Sequence, residues 1–377
     1  MGVGYKKEFF VRSTLCTGYH LLRTLPHVDC PLPLARCPLP LLFMNLQNKT
    51  ILITGIGEFV GLRAAELASQ QGMKVCGLQS SSDKIKKAEN LGAKVIVGSI
   101  IDPTTASKAC EGVDIVLHAD ELAQEGGSLK EFRQVNVDGT INIAQAAKKA
   151  GVKTFIHLSS VLVYGFNYPN HIKEDGPLCG ENNPYCQTKI EAEKALLQLN
   201  SSPHFGITVI RPGDVYGPGS IPWIVRPLLL MRQKLFAYAN EGRGVINHVY
   251  VDNLIQAIFL AIEKEAYGEI FNVTDGQETS WKDYFTRLAD IAGLPAPFSL
   301  PKDELKLFLK LRYQGQKLFR KQADILPEVV DFMTRPYAYS ITKAQNMLSY
   351  QPIINLEEGM KLTQEWLKKT DIQKFIQ

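Results

Sequence analysis

Regular hydrophobic patterning begins at Lys49. Thr50-Ile51-Leu52-Ile53-Thr54 is a short run rich in β-branched and apolar residues that ends at Gly55, and it predicts a buried strand. A helical stretch from Leu62 to Gln71 follows, and Gly72 stands where a helix-ending glycine belongs. The cycle then repeats. Met73 to Leu78 predicts a second strand, Asp83 to Leu91 a helix stopped by Gly92, and Ala93 to Val97 a third strand. Asp102-Pro103 opens the next helix with proline in its first turn. Val113 to His118 predicts a fourth strand, Leu129 to Lys149 a long helix ended by Gly151, Lys153 to Ser159 a fifth strand and Ile207 to Ile210 a sixth. Such alternation argues for βαβ units, hence an α/β fold with a parallel sheet covered by helices on both faces. Right-handed crossovers bring all strand C-termini to one edge, where ligands bind.

The 43 residues before Met44 carry no helical or strand period and hold Pro26, Pro31, Pro33, Pro38 and Pro40. Their basic residues, Lys6, Lys7, Arg12, Arg23 and Arg36, outnumber the acids Glu8 and Asp29. A targeting peptide is one reading. An extension outside the folded core, with Met44 a real or alternative start, is the preferred one.

Across 377 residues the chain is 45% hydrophobic and 21% charged, an ordinary globular composition, and its net charge of +4 gives no case for a nucleic-acid partner. No stretch approaches the roughly 18 apolar residues of a membrane span. The seven cysteines are odd in number and match no zinc or CxxC spacing, which points to thiols in a reducing compartment, the cytoplasm. Cys186, beside Tyr185, reads as incidental. No cluster of His, Cys and Asp suggests a metal.

The chemistry concentrates at the predicted strand ends. Gly55, Gly57 and Gly61 follow the first strand and open a helix, so backbone N–H groups can approach a pyrophosphate. After the second strand, Gln79-Ser80-Ser81-Ser82 lacks the acid that holds the ribose of NAD. The serines and Lys84 suit a 2′-phosphate, which leans the cofactor toward NADP over NAD; alternatively Ser81, Ser82 and Asp83 cap the following helix. A tyrosine can move a proton to or from a carbonyl or alcohol oxygen if its pKa is lowered, and a lysine at i+4 supplies the charge from the same helix face. Tyr185 and Lys189 have this spacing; so do Tyr313/Lys317 and Tyr339/Lys343, which read as surface pairs. Only Tyr185 follows a strand that ends in hydroxyls, Ser159-Ser160-Val161-Leu162-Val163-Tyr164-Gly165.

Together these motifs resemble the extended short-chain dehydrogenase/reductase family, also called NAD-dependent epimerases/dehydratases. The resemblance runs from about Asn48 to Lys369. It implies a Rossmann doubly wound sheet, a nicotinamide cofactor and a Ser160-Tyr185-Lys189 site in which the serine polarises the substrate oxygen. The family loop reads TGxxGxxG. Gly55 and Gly61 match, the middle glycine falls on Glu58, and Gly57 lies one place early, with Glu58 expected to turn outward. The resemblance places Ser99 at the adenine-contacting aspartate of GDxxD. It places Asn136, in an NVxGT-like helix, either near the lysine or as a buried structural amide. His118 is expected to line the cofactor path through its backbone, as neither catalyst nor metal ligand.

In the second half, Arg211-Pro212-Gly213-Asp214-Val215-Tyr216-Gly217-Pro218-Gly219 resembles the family's RPxxVYGPG turn, and Arg211 is expected to pair with an internal carboxylate. Asp252 reads as a helix cap. Gly268 to Gly276 and Tyr339 to Ala344 resemble the 3β-hydroxysteroid dehydrogenase branch. Lys302 to Gln322 predicts a basic amphipathic helix interrupted at Gly315, one that packs on the core in preference to lying on a membrane. The expected organisation is an extension over 1–43, a dinucleotide-binding domain over 44–215, and a substrate region over 216–377 with a return to the core near 246–275. The expected function is NAD(P)-dependent hydride transfer to or from a bulky, sterol-like small molecule. A nucleotide-sugar epimerase or dehydratase and a non-catalytic binding module are the alternatives. The resemblance also implies a homodimer.

Overall fold

The computed structural model describes residues 46–124, 126–180, 183–318 and 327–375. The expected extension over 1–43 and the far end of the basic helix lie outside them. The first half runs β1 (Thr50–Thr54), α1 (Phe59–Gln70), β2 (Lys74–Gln79), α2 (Lys86–Asn90), β3 (Lys94–Val97), α3 (Pro103–Ala109) and β4 (Ile115–His118). It continues with α4 (Leu129–Arg133), α5 (Thr140–Lys149), β5 (Thr154–Leu158), α6 (Pro184–Leu199) and β6 (Gly206–Pro212). In the second half are β7 (Asp214–Tyr216), α7 (Arg226–Arg232), β8 (Ala237–Ala239), β9 (Val245–Ile246), β10 (His248–Tyr250), α8 (Val251–Glu263) and β11 (Ile270–Val273). The described chain ends with β12 (Thr279–Ser280), α9 (Trp281–Ile291), β13 (Phe298–Leu300), α10 (Lys302–Leu318), α11 (Val329–Thr334) and α12 (Leu356–Leu367).

Seven of these strands form one parallel sheet in the order β11-β6-β5-β4-β1-β2-β3, the doubly wound Rossmann arrangement. Its strands are apolar at successive positions because both faces are covered. Ile51 and Ile53 join one buried cluster and Leu52 the other, and Phe155 and Ile156 divide in the same way. The register aligns Thr54 with His118, and His118 with His157, so the C-terminal ends of β1, β4 and β5 open on a common edge. The chain reverses its direction of travel across the sheet between β1 and β4, and this is where a ligand crevice belongs.

Several local expectations change. The predicted long helix contains a π-helical segment, Gln134–Gly139, between α4 and α5. Asp252 does not cap α8. It takes two hydrogen bonds from Arg63 of α1, at 2.7 and 2.9 Å, and ties the two helices together. Tyr339 is not a surface residue: it is 3% exposed and its hydroxyl accepts from Arg335 at 3.0 Å. Gly315 does not interrupt α10, which runs to Leu318. That helix buries Leu305 and Leu309 against Ala239 and Val330, as expected of a core-packed helix, and leaves Leu307, Phe308 and Leu311 exposed. Among the described residues no helix is long and apolar enough to cross a membrane.

The Arg63–Asp252 pair is buried on both sides, each side chain 8% exposed. Arg63 also binds Glu66 at 2.6 Å, so removing Asp252 takes away one of the two carboxylates that balance the guanidinium. Asp252→Ala is expected to lower unfolding stability by about 3 kcal/mol in urea titration. The replacement Arg63→Met/Asp252→Leu, combined with Glu66→Gln so that no carboxylate is left without the guanidinium, is expected to recover most of that loss. Equal losses in both variants would contradict this account.

Candidate active site

The N-terminus of α6 sets the first two groups. Asn183 caps the helix by accepting from the N–H groups of Tyr185 and Cys186 at 2.9 and 3.3 Å, and Pro184 occupies the first turn. Tyr185 therefore stands at the helix entrance and Lys189 one turn later on the same face, with Lys189 Nζ 5.7 Å from the tyrosine ring centroid. The Lys189 side chain is 3% exposed, and its ammonium donates to the Leu158 carbonyl at the end of β5 at 2.7 Å. Ser160, two residues on, begins a 3-10 turn over Val161–Tyr164, accepts from Leu162 N–H at 3.1 Å, and lies near enough to the Tyr185 hydroxyl to lower its pKa against the larger rise caused by burial. The structure thus brings Ser160, Tyr185 and Lys189 together.

A fourth group is present that the sequence reading omitted. Glu121, three residues beyond β4, places a carboxylate oxygen 2.5 Å from Lys189 Nζ, and the Tyr185 hydroxyl donates to the same oxygen at 3.2 Å. Burial pushes the Tyr185 pKa well above its ordinary value, and the Glu121 charge pushes it further in the same direction. The lysine's charge is spent on Glu121 and not on a tyrosinate.

Asn136 does not touch Lys189. Buried in the π-helical segment, it accepts from Leu122 N–H at 2.7 Å, donates to the Leu122 carbonyl at 3.1 Å and reaches Thr188 Oγ1 at 3.3 Å. It fixes the backbone beside Glu121 to the helix that carries the lysine. The His118 ring lies between Thr54 and Thr140, 2.8 Å from each hydroxyl, and burial together with nearby Lys189 brings its pKa down to about 3. That ring is neutral and fully committed, a brace between β1, β4 and α5.

At the glycine loop, Gly55 adopts φ +68°, and a Cβ there would meet the Asp120 backbone at 3.1 Å. A Cβ on Gly61 would meet the Gly55 carbonyl at 2.2 Å, so α1 packs directly on the turn. Gly57 is required for a different contact: a Cβ would lie 2.6 Å from the Lys84 carbonyl. Glu58 does turn outward. Its carboxylate binds Lys84 Nζ at 2.7 Å and the Gln79 amide at 3.2 Å, while Gln79 Oε1 accepts from Gly57 N–H at 2.9 Å. Glu58 precedes α1 without capping it by its side chain, so the first-turn N–H groups keep their capacity for an anion. The residues present therefore fit a dinucleotide's pyrophosphate. Ser80 is exposed beyond β2, Ser81 caps the turn that follows by accepting from Asp83 N–H, and Ser99 Oγ accepts from Ile101 N–H at 3.2 Å.

Comparison with known proteins agrees with this geometry. The NAD dependent epimerase/dehydratase family matches residues 51–274. The chain belongs to that family. It is 26% identical over 320 residues to the 4-hydroxy-2-methyl-3-oxo-4-farnesyl-3,4-dihydroquinoline-1-oxide ketoreductase of Stigmatella aurantiaca, covering 82% of this chain and 93% of that protein. It is 28% identical over 332 residues to the UDP-glucose 4-epimerase of Vibrio cholerae, covering 84% and 94%. The UDP-glucuronic acid 4-epimerase of Bacillus cereus, solved with UDP-glucuronic acid and NAD, superposes with a TM-score of 0.68 at 22% identity, over 85% of this chain and 99% of that one.

The protein is thus an NAD(P)-dependent enzyme of the extended short-chain dehydrogenase/reductase type. Three carboxylates gather at this edge of the sheet. Partly buried Asp120 sits between Glu58 and Glu121, and its pKa is pushed up to about 6, by burial first and by those two charges next. Glu121 and Gln79 were not recognisable as site residues from spacing alone. The available signal was the Asp120-Glu121 pair directly after a strand that ends at the ligand edge.

The Asp120 shift has a stability consequence. The folded chain holds this proton more tightly than the unfolded one, so the favourable contribution is present below the unfolded pKa near 4 and is lost as pH rises through about 6. Asp120→Asn is expected to melt at a higher temperature than wild type at about pH 7.5, with the difference closing toward about pH 4. A difference independent of pH would show that charge crowding is not the cause.

Proposed function

We propose that this protein is an NAD(H)-dependent oxidoreductase that interconverts a hydroxyl and a keto carbon on a bulky, apolar small molecule. The observation that carries the proposal is the convergence of Ser160, Tyr185 and Lys189 at the C-terminal edge of the sheet, beside an anion-ready α1 turn. When bound, the nicotinamide supplies the hydride chemistry. Ser160 and Tyr185 hold the substrate oxygen, Tyr185 gives or takes its proton, and Lys189 stabilises the tyrosinate.

Two features support an apolar substrate. Phe166 follows the turn begun by Ser160 and meets Phe332 at 5.9 Å between ring centroids, and Trp223 meets Phe332 at 6.0 Å. All three rings are only partly buried. The nearby guanidinium groups that could grip a nucleotide diphosphate are spent internally. Arg211 is held by Glu193 at 2.6 and 2.9 Å, and Arg335 by Asp214 at 3.1 Å. The farnesylated quinoline in the name of the Stigmatella relative is consistent with such a pocket. NAD is the proposed cofactor in preference to NADP. Lys84, the cation that would favour a 2′-phosphate, is already neutralised, and a phosphate there would face the Glu58 carboxylate.

Purified protein incubated with NADH or NADPH and a panel of hydrophobic ketones is expected to oxidise NADH, seen as loss of absorbance. Tyr185→Phe is expected to lower the rate about 10²- to 10⁴-fold without loss of NADH binding. Turnover of UDP-sugars with no net change in cofactor would overturn the proposal in favour of an epimerase. A wild-type rate that survives in Tyr185→Phe would remove the enzymatic reading of this site. Glu58→Ala, which releases Lys84, is expected to shift the ratio of NADPH to NADH affinity about tenfold toward NADPH; an unchanged ratio would remove Glu58 as the discriminating group.

A further inference from the structure

We infer that Glu121 is a cofactor-displaced plug. In the free protein it occupies the coordination position of Lys189 that a dinucleotide needs, and the tyrosine becomes reactive only when the cofactor replaces it. This inference rests on the dinucleotide-binding reading above and goes further by assigning the site a silent free state.

Four observations carry it. Lys189 is almost wholly enclosed, and its donors go to the Leu158 carbonyl and to Glu121. An ammonium so enclosed needs a counter-charge or a set of hydroxyl acceptors, and a nicotinamide dinucleotide brings sugar hydroxyls to this edge of the sheet. The Tyr185 hydroxyl points its proton at Glu121, so in this arrangement it is not aimed at a substrate oxygen. The two ends of the ion pair differ in their freedom to leave. The Glu121 side chain is 30% exposed against 3% for Lys189, and it can rotate into water and regain hydration. Finally, Glu121 lies on a segment without helix or strand, yet the next residue is clamped at both its N–H and its carbonyl by Asn136. A swing of the side chain alone releases the site, with the neighbouring backbone held.

The two states have opposite electrostatics. With Glu121 in place, a negative charge adjoins the tyrosine hydroxyl and the lysine charge is cancelled, which keeps Tyr185 protonated. With Glu121 displaced by neutral hydroxyls, the lysine charge acts on the tyrosine unopposed and lowers its pKa. Binding of the cofactor and activation of the proton-transfer group are then one event. Glu121 acts through Lys189 and Tyr185 and is a positioning residue.

The test is fluorescence titration of the full chain with NADH in four proteins: wild type, Glu121→Gln, Lys189→Met and the double variant. Native folding of each is checked by circular dichroism. Glu121→Gln keeps the size of the side chain and removes its charge. It is expected to bind NADH about tenfold more tightly than wild type. In the Lys189→Met background the same change is expected to have little effect, because there is no ammonium left to compete for. Should Lys189→Met fail to fold, Lys189→Gln replaces it, and the same loss of the gain is expected there. An unchanged or weaker affinity in Glu121→Gln overturns the plug and leaves the functional reading standing. A gain of equal size in Lys189→Met also overturns it, since that marks general relief of negative charge around the cofactor. Absence of NADH binding in all the folded proteins overturns the cofactor reading, and the plug with it.

Discussion

A lysine ammonium closed off from water must find its counter-charge within the protein, and the architecture around Lys189 follows from that requirement. The helix entrance at Asn183-Pro184 fixes where α6 begins, and so fixes the lysine against the end of β5. The Leu158 carbonyl satisfies one donor, but a carbonyl dipole does not neutralise a buried cation. The remaining charge draws the carboxylate of Glu121 across the mouth of the crevice, and the carboxylate in turn accepts a hydrogen bond from the Tyr185 hydroxyl. Ser160, Asn136 and the His118 brace hold the surrounding backbone in register, so that exchange of one counter-charge changes the chemistry and leaves the fold unchanged.

The same competition recurs at the adenosine end of the crevice. A glutamate stands where a glycine would give phosphate an open approach, and its carboxylate is held by Lys84 and by the amide of Gln79. The glycine displaced by one position, Gly57, lets the segment carrying Lys84 fold down against the loop. The loop and the end of β2 are joined through the neutral amide of Gln79, which accepts from Gly57 N–H and donates to Glu58. Asp120 lies between the two acidic ends of the crevice and bears the cost as a raised pKa. At this end of the crevice a dinucleotide meets a Glu58 carboxylate already paired with Lys84.

Six of the seven strands were legible because each is a short apolar run punctuated by glycine, proline or a capping residue; β11 lay in the segment expected only to return to the core. The triad was legible because Tyr185 and Lys189 are one helical turn apart and Ser160 ends a strand. The groups that control the triad were not. Glu121 reaches Lys189 from a segment without regular structure, 68 positions away in sequence, and periodicity does not report on such contacts. Asp252 has the appearance of a cap and is instead a partner for Arg63, far away on α1. Tyr339 has the spacing of a surface pair and is buried against Arg335. The first two cases turn on charge pairings distant in sequence, and the third on tertiary burial, none of them decided by local propensity.

The most direct measurement is a crystal structure of the protein with NADH bound. The account predicts sugar hydroxyls of the cofactor within hydrogen-bonding distance of Lys189 Nζ, Glu121 rotated toward solvent, and the Tyr185 hydroxyl facing the nicotinamide. A bound cofactor with the Lys189–Glu121 pair intact would contradict it.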